Sequence, residues 1–258
     1  AAAAVAAAAV AAWSRLSMRD ADEFLLDEPD PLLRANMALY GLFDAAQRQV
    51  ICGFARQFYR GKRVYAHAEV GCSEALLAAV AGQAALVGAA QRTRYFASVR
   101  WIYFCGDELD VDGDARGAST VRLHAQTSLY ESQVIVPGCN LVVHEFAHIL
   151  DEQLGISGST RALRQAYGRY RDRLEGGGDV GEDDLLPNFF TPLDSDYGGI
   201  EPGEPMDFYP QEEFFSYLSE AFFTRPLAVE AQDAALYADL AAIYGLDMAG
   251  IFRRGGLA

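Results

Sequence analysis

Lysine is almost missing from this chain: Lys62 stands alone, and every other basic side chain is arginine. With 21 Lys and Arg against 36 Asp and Glu, the formal net charge is −15. So little positive charge cannot displace the counterions of a phosphate backbone, which excludes nucleic acid as an expected partner. Cysteine is scarce too. Cys52, Cys72, Cys105 and Cys139 are widely spaced and include no Cys-x-x-Cys pair, which excludes a dense disulfide framework and a zinc site closed by cysteine. Reduced core thiols and a cytoplasmic location are therefore expected. No apolar run reaches the roughly 20 residues that a membrane-spanning helix needs. The opening "AAAAVAAAAVAA" stops at Trp13 and lacks a basic leading segment, so it does not read as a secretory signal. An N-terminal anchor is the alternative to a surface segment there, and a membrane partner is not expected.

Hydrophobic residues make up 51% of the chain, enough to bury a substantial core. Neither an internal repeat nor a linker is visible, so the reading is an alanine-rich segment at 1–20 and one domain over 21–258. Helical spacing runs through residues 38–60 and through "SEALLAAVAGQAALVGAA" from Ser73, a suitable N-cap. Strand patterns occupy "KRVYAHAEV", "SVRWIYFC" at 98–105 and "STVRLHAQTSL" at 119–129. Between the last two, "GDELDVDGDARG" reads as a turn. Further helices are expected over "TRALRQAYGRYRDRLE", from Pro210 through "PQEEFFSYLSEAFF", and finally over "AQDAALYADLAAIYG" from Ala231. The stretch 176–211 is rich in Gly, Pro and Asp without a sustained period, and its length points to a functional loop.

Chemistry concentrates in "NLVVHEFAHILDE". His144 and His148 stand four apart, so a helix projects both imidazoles from one face, close enough to bind one ion. Glu145, roughly 100° round from His144, is placed to take a proton from water without being a ligand itself. Two nitrogen ligands and a base are the arrangement a metallohydrolase uses. A catalytic zinc needs a third protein ligand. His67 and His124 fall in strand-like segments and suit it poorly, whereas the helix after the long loop offers Glu212, Glu213 and Glu220. Metal-bound imidazoles commonly donate their second N–H to a carboxylate, a bracing role open to Asp151 or Glu220; a salt bridge at the helix end is the plainer fate of Asp151.

These residues resemble the Mlc titration factor A-like zinc metallopeptidases, whose hallmarks His-Glu-Phe-Ala-His-x-Leu-Asp and a later Glu-Phe-Phe…Ser-Glu…Phe-Phe stand here as "HEFAHILD" and "EFFSYLSEAFF". Weaker resemblance extends over most of residues 37–248. It implies an α+β, zincin-like fold of the gluzincin type, with a mixed sheet packed against the HExxH helix and further helices. By the same resemblance His144, His148 and Glu213 are the zinc ligands and Glu145 the general base. The family's centre is similar to that of lethal factor, where a tyrosine two turns before the third ligand faces the metal. Here that position is Met206, so Tyr197 is favoured for the role, with Tyr209 as the alternative. The expected activity is zinc-dependent hydrolysis of a peptide or protein substrate. Strand 121–127 would align that substrate by edge pairing, and loop 176–211 would cover the cleft. The family's namesake sequesters a transcriptional repressor, so binding of a transcriptional regulator, with peptidase activity secondary or absent, is the alternative.

Overall fold

Apolar patterns of period two and of period 3.6 sort the chain into a sheet and the helices that cover it. The structure, a computed structural model, describes residues 16–19, 26–67, 70–91, 93–106, 113–116, 119–175 and 211–257. Five strands form one sheet in the order β1-β2-β3-β5-β4, with β1 Leu16–Arg19, β2 Arg63–His67, β3 Trp101–Cys105, β4 Gly113–Arg116 and β5 Thr120–His124. The central β2, β3 and β5 are parallel, whereas β1 and β4 run antiparallel at the two sides. Parallel strands need cover on both faces. Accordingly β3 is continuous in Ile102, Tyr103 and Phe104, all buried. The class is α+β, as expected from the sequence.

Ten helices are described: α1 Pro29–Asn36, α2 Ala45–Phe58, α3 Glu74–Gly88, α4 Ala125–Gln133, α5 Leu141–Leu154, α6 Arg161–Glu175, α7 Gln211–Thr224, α8 Pro226–Gln232, α9 Ala234–Tyr244 and α10 Met248–Arg254. Helix α3 is the hub, buried continuously from Leu76 to Gly88 and packed against α1, α2, α4 and α5. Its Gly82 admits α1: a Cβ there would lie 2.5 Å from the Leu33 side chain. Ser73 caps its start, accepting the Leu76 N–H at 3.1 Å. Among the described residues, no single helix is long and apolar enough to cross a membrane.

Several boundaries differ from the sequence reading. Residues 38–60 are not one helix: a short 3-10 turn, Ala38–Leu42, precedes α2. The break is made by Asp44, which accepts the Gln47 N–H at 2.8 Å while Gln47 accepts the Asp44 N–H at 3.0 Å, a reciprocal cap that starts a new helix. The expected strand over 119–129 ends at His124, whose ring Nδ1 accepts the Thr127 N–H and opens α4. Part of the expected turn, Gly113–Arg116, is strand β4. Strand β5 therefore lies between β3 and β4 and offers no free edge to a substrate; β4 is the outermost described strand on that side. The last expected helix is divided at Asp233, whose side chain caps α9, and α10 follows it.

Candidate metal centre

Helix α5 starts where its N–H groups find acceptors. The Asn140 side chain accepts the Val143 N–H at 3.0 Å, and Glu131 accepts that of Leu141 at 2.6 Å. It ends at Gly155, in the left-handed region at φ 62°. Val142, Val143, Phe146, Ala147, Ile149 and Leu150 are fully buried and fix the rotation of the helix. That rotation turns His144 and His148 toward α7. Helix α7 is anchored in turn by the buried Phe214, Phe215, Leu218, Phe222 and Phe223. Its opposite stripe carries Glu213, Tyr217 and Glu220, spaced four and three residues apart and so on one face.

Three donor atoms converge between the two helices. The Glu213 carboxylate Oε2 lies 3.4 Å from His144 Nε2 and 3.3 Å from His148 Nε2. The two imidazole nitrogens are 3.1 Å apart. A point equidistant from atoms separated by 3.1, 3.3 and 3.4 Å lies about 1.9 Å from each, close to the roughly 2.0–2.2 Å bonds of a divalent transition ion to imidazole and carboxylate. His144, His148 and Glu213 thus form a group that could hold a metal ion. With side chains 13%, 16% and 32% exposed, the group is sheltered yet open on one side, as an exchangeable fourth position requires.

Glu220 braces the site. Its Oε1 is 2.8 Å from His144 Nδ1, and its Oε2 accepts the backbone N–H of Asn140. In the neutral ring, a carboxylate that accepts Nδ1–H leaves Nε2 as the lone-pair nitrogen facing the cluster. Burial alone would depress His144, but its bonds to Glu213 and Glu220 outweigh that and raise its pKa to about 10. Burial would likewise raise Glu213; the two histidines prevail and hold it well below the usual carboxylate range. Glu145 is buried at 4% exposure, and its charge also favours the protonated His144.

Of the residues singled out from the sequence, His144, Glu145, His148, Glu213 and Glu220 gather here. Asp151 does not join them. Two turns carry it about 10 Å along the axis from His144, and its carboxylate accepts the Ser157 N–H at 2.5 Å, tying down the chain after α5. His124 caps α4, and His67 is buried in β2. Tyr197, Tyr209 and most of loop 176–211 lie outside the described residues, as does Met206. Two contributors went unnoticed in the sequence. Tyr217 packs edge-on to the His144 ring, centroids 4.7 Å apart at 71°; its position four after Glu213 was the available signal. Glu131 carries no local signal, because its bond to Leu141 arises only once α4 folds against α5.

No protein-family model matches this chain, and no curated protein is significantly similar to it.

Proposed function

We propose that this protein is a zinc-dependent peptidase of the Mlc titration factor A-like kind, with a zincin-like arrangement of its sheet, HExxH helix and ligand helix. One observation carries the reading: Glu213, 65 residues beyond His148, brings a single oxygen to 3.4 and 3.3 Å from both imidazole nitrogens. The nitrogen, nitrogen, oxygen donor set fits zinc in an open site. Zinc held by His144, His148 and Glu213 would supply Lewis acidity, lowering the pKa of water toward neutrality.

The chain's own residues supply the rest. Glu145 takes the proton of the attacking water and passes it to the departing amine, which keeps both transfers within one sheltered carboxylate. Glu220 and Tyr217 hold the His144 ring in place. Strand β4, the outermost described strand on its side of the sheet and beside α5, is suited to pair with an extended peptide through backbone hydrogen bonds. Side-chain selectivity would then fall to the surroundings of the cleft.

The test is Glu145→Gln. Metal content should stay at about one ion per chain while hydrolysis of a peptide library disappears. Undiminished hydrolysis would remove Glu145 from the mechanism, and a wild-type protein that holds zinc but cuts nothing would point instead to binding of a regulator.

A further inference from the structure

A second constellation lies away from the metal centre, in a cleft of about 470 Å³ between α1, the 3-10 turn and α2. One wall is the stripe Arg48, Cys52 and Arg56, at i, i+4 and i+8 on α2; the other is Asp30 and Arg34 on α1, with Tyr40 behind them. Tyr40 is fully buried, and its hydroxyl donates to Asp30 Oδ1 at 2.6 Å. Arg34 donates to the same carboxylate, Nε to Oδ2 at 2.7 Å. These bonds, Arg34 first and Tyr40 second, hold Asp30 below the usual carboxylate range and consume its charge locally.

The other two guanidiniums are not consumed. Arg56 gives one N–H to the Asp27 carbonyl at 3.2 Å, and Arg48 makes no side-chain hydrogen bond or ion pair among the described residues. Burial raises the Cys52 thiol, so it stays neutral between them. Three arginines and one aspartate leave the lining at +2 in a chain of net charge −15. The floor is kept low by Gly53 in the middle of α2, where a Cβ would meet nothing within 4 Å. Glycine in a helix interior costs roughly 0.5–1 kcal/mol against alanine, and nothing in the packing here demands it.

We propose that this cleft binds a small molecule carrying two separated acidic groups, a dicarboxylate or a bisphosphate, with Arg48 and Arg56 gripping its two ends. Eight residues of helix set their Cα atoms about 12 Å apart. Long arginine side chains turned toward each other would shorten that to the span of a short dianion, and planar guanidinium forks suit either carboxylate or phosphate. The site is independent of the metal-centre reading.

Calorimetric titration at low ionic strength tests it, with glutarate and fructose 1,6-bisphosphate as probes and acetate at matched ionic strength as control. One or both dianions should bind saturably at one per chain, and which one binds identifies the acid group preferred. Arg48→Ala and Arg56→Ala should each weaken binding at least tenfold, and Gly53→Leu should block it without altering charge. His144→Ala should leave it intact. Thermal melts verify that each variant is folded. The proposal is overturned by failure of both dianions to saturate, by unchanged affinity in Arg48→Ala, or by a loss in His144→Ala equal to that in Arg48→Ala, which would place the anion at the histidines.

Discussion

On its front, helix α5 turns His144 and His148 toward the carboxylates of α7; on its back, Phe146 packs against Phe58 at 5.5 Å and Phe96 at 4.8 Å. Each side buries a basic group. At the front, carboxylates overcome burial and raise His144 to about 10. At the back, Lys62 is 2% exposed, sits 4.9 Å over the Phe58 ring and donates to the Tyr95 carbonyl at 2.9 Å. No acid pairs with it among the described residues, so burial, aided by Arg100, lowers its pKa to about 7. Its carbonyl partner belongs to a turn in which Arg94, Tyr95 and Phe96 all adopt the left-handed region, each at about 1–2 kcal/mol. The contrast separates two uses of a buried charge. Lys62 secures a strained turn at the expense of its own ionisation. The front gathers Glu145, Glu213 and Glu220 around two imidazoles, an excess of negative charge that a divalent cation would neutralise.

The sharpest way to break this contrast is at the front. Glu145→Gln should lower kcat by roughly 10²–10⁴ with metal content unchanged, since proton transfer alone is removed. Glu220→Gln should weaken metal binding by roughly 10–100-fold, measured by competition with a chelator. Glutamine keeps one acceptor oxygen where Glu220 serves two donors, His144 Nδ1 and Asn140 N–H. An unchanged affinity would reduce Glu220 to a helix cap.

At the back the expected effect is smaller and depends on pH. Lys62 is easier to deprotonate in the folded state than in the unfolded one, so its penalty is full below pH 7 and is relieved as pH rises from about 7 toward the unfolded value of 10.5. Between pH 7 and 8.5 that relief amounts to about 2 kcal/mol. In metal-free protein His144 works the opposite way: its folded pKa is raised, so its stabilisation is complete below about 6.5 and is lost progressively as pH climbs toward 10. Comparing wild type with Lys62→Met at each pH cancels the histidine. Urea unfolding should show wild type gaining about 2 kcal/mol on the variant over that interval. A flat difference would mean that the ammonium is solvated.

How much of this was legible in the sequence follows from the range of the interactions. His144, Glu145 and His148 were readable because helix geometry relates residues three and four apart, whatever surrounds them. Glu213 was readable only as one of three acids on the next suitable helix; its selection depends on how α7 rotates against α5, which its phenylalanines decide. Asp151 was left between bracing the histidines and a role at the helix end, because angular position alone does not weigh the rise along the axis; its bond to Ser157 is at the helix end. Strand β4 escaped because Gly-Asp-Ala-Arg has turn chemistry, and pairing with β5, not propensity, makes it a strand. The Asp44 and Asp233 boundaries were present as capping residues, concealed by apolar spacing that continues across them.

Tyr217 offers the finest adjustment of the front. Its ring meets His144 edge-on at 4.7 Å, and it stands between Glu213 and Glu220 on the same face of α7. An aromatic pair of this kind contributes about 0.5–1.5 kcal/mol beyond area burial. Tyr217→Ala should therefore weaken metal binding by roughly 2–10-fold, because His144 loses the wall that limits its swing while both of its carboxylate partners remain. Tyr217→Phe keeps the ring and should stay within about twofold of wild type if shape is the whole contribution. A loss of kcat in Tyr217→Phe with metal affinity intact would give the hydroxyl a part in the reaction itself, and the front of the helix would then hold a second proton-bearing group beside Glu145.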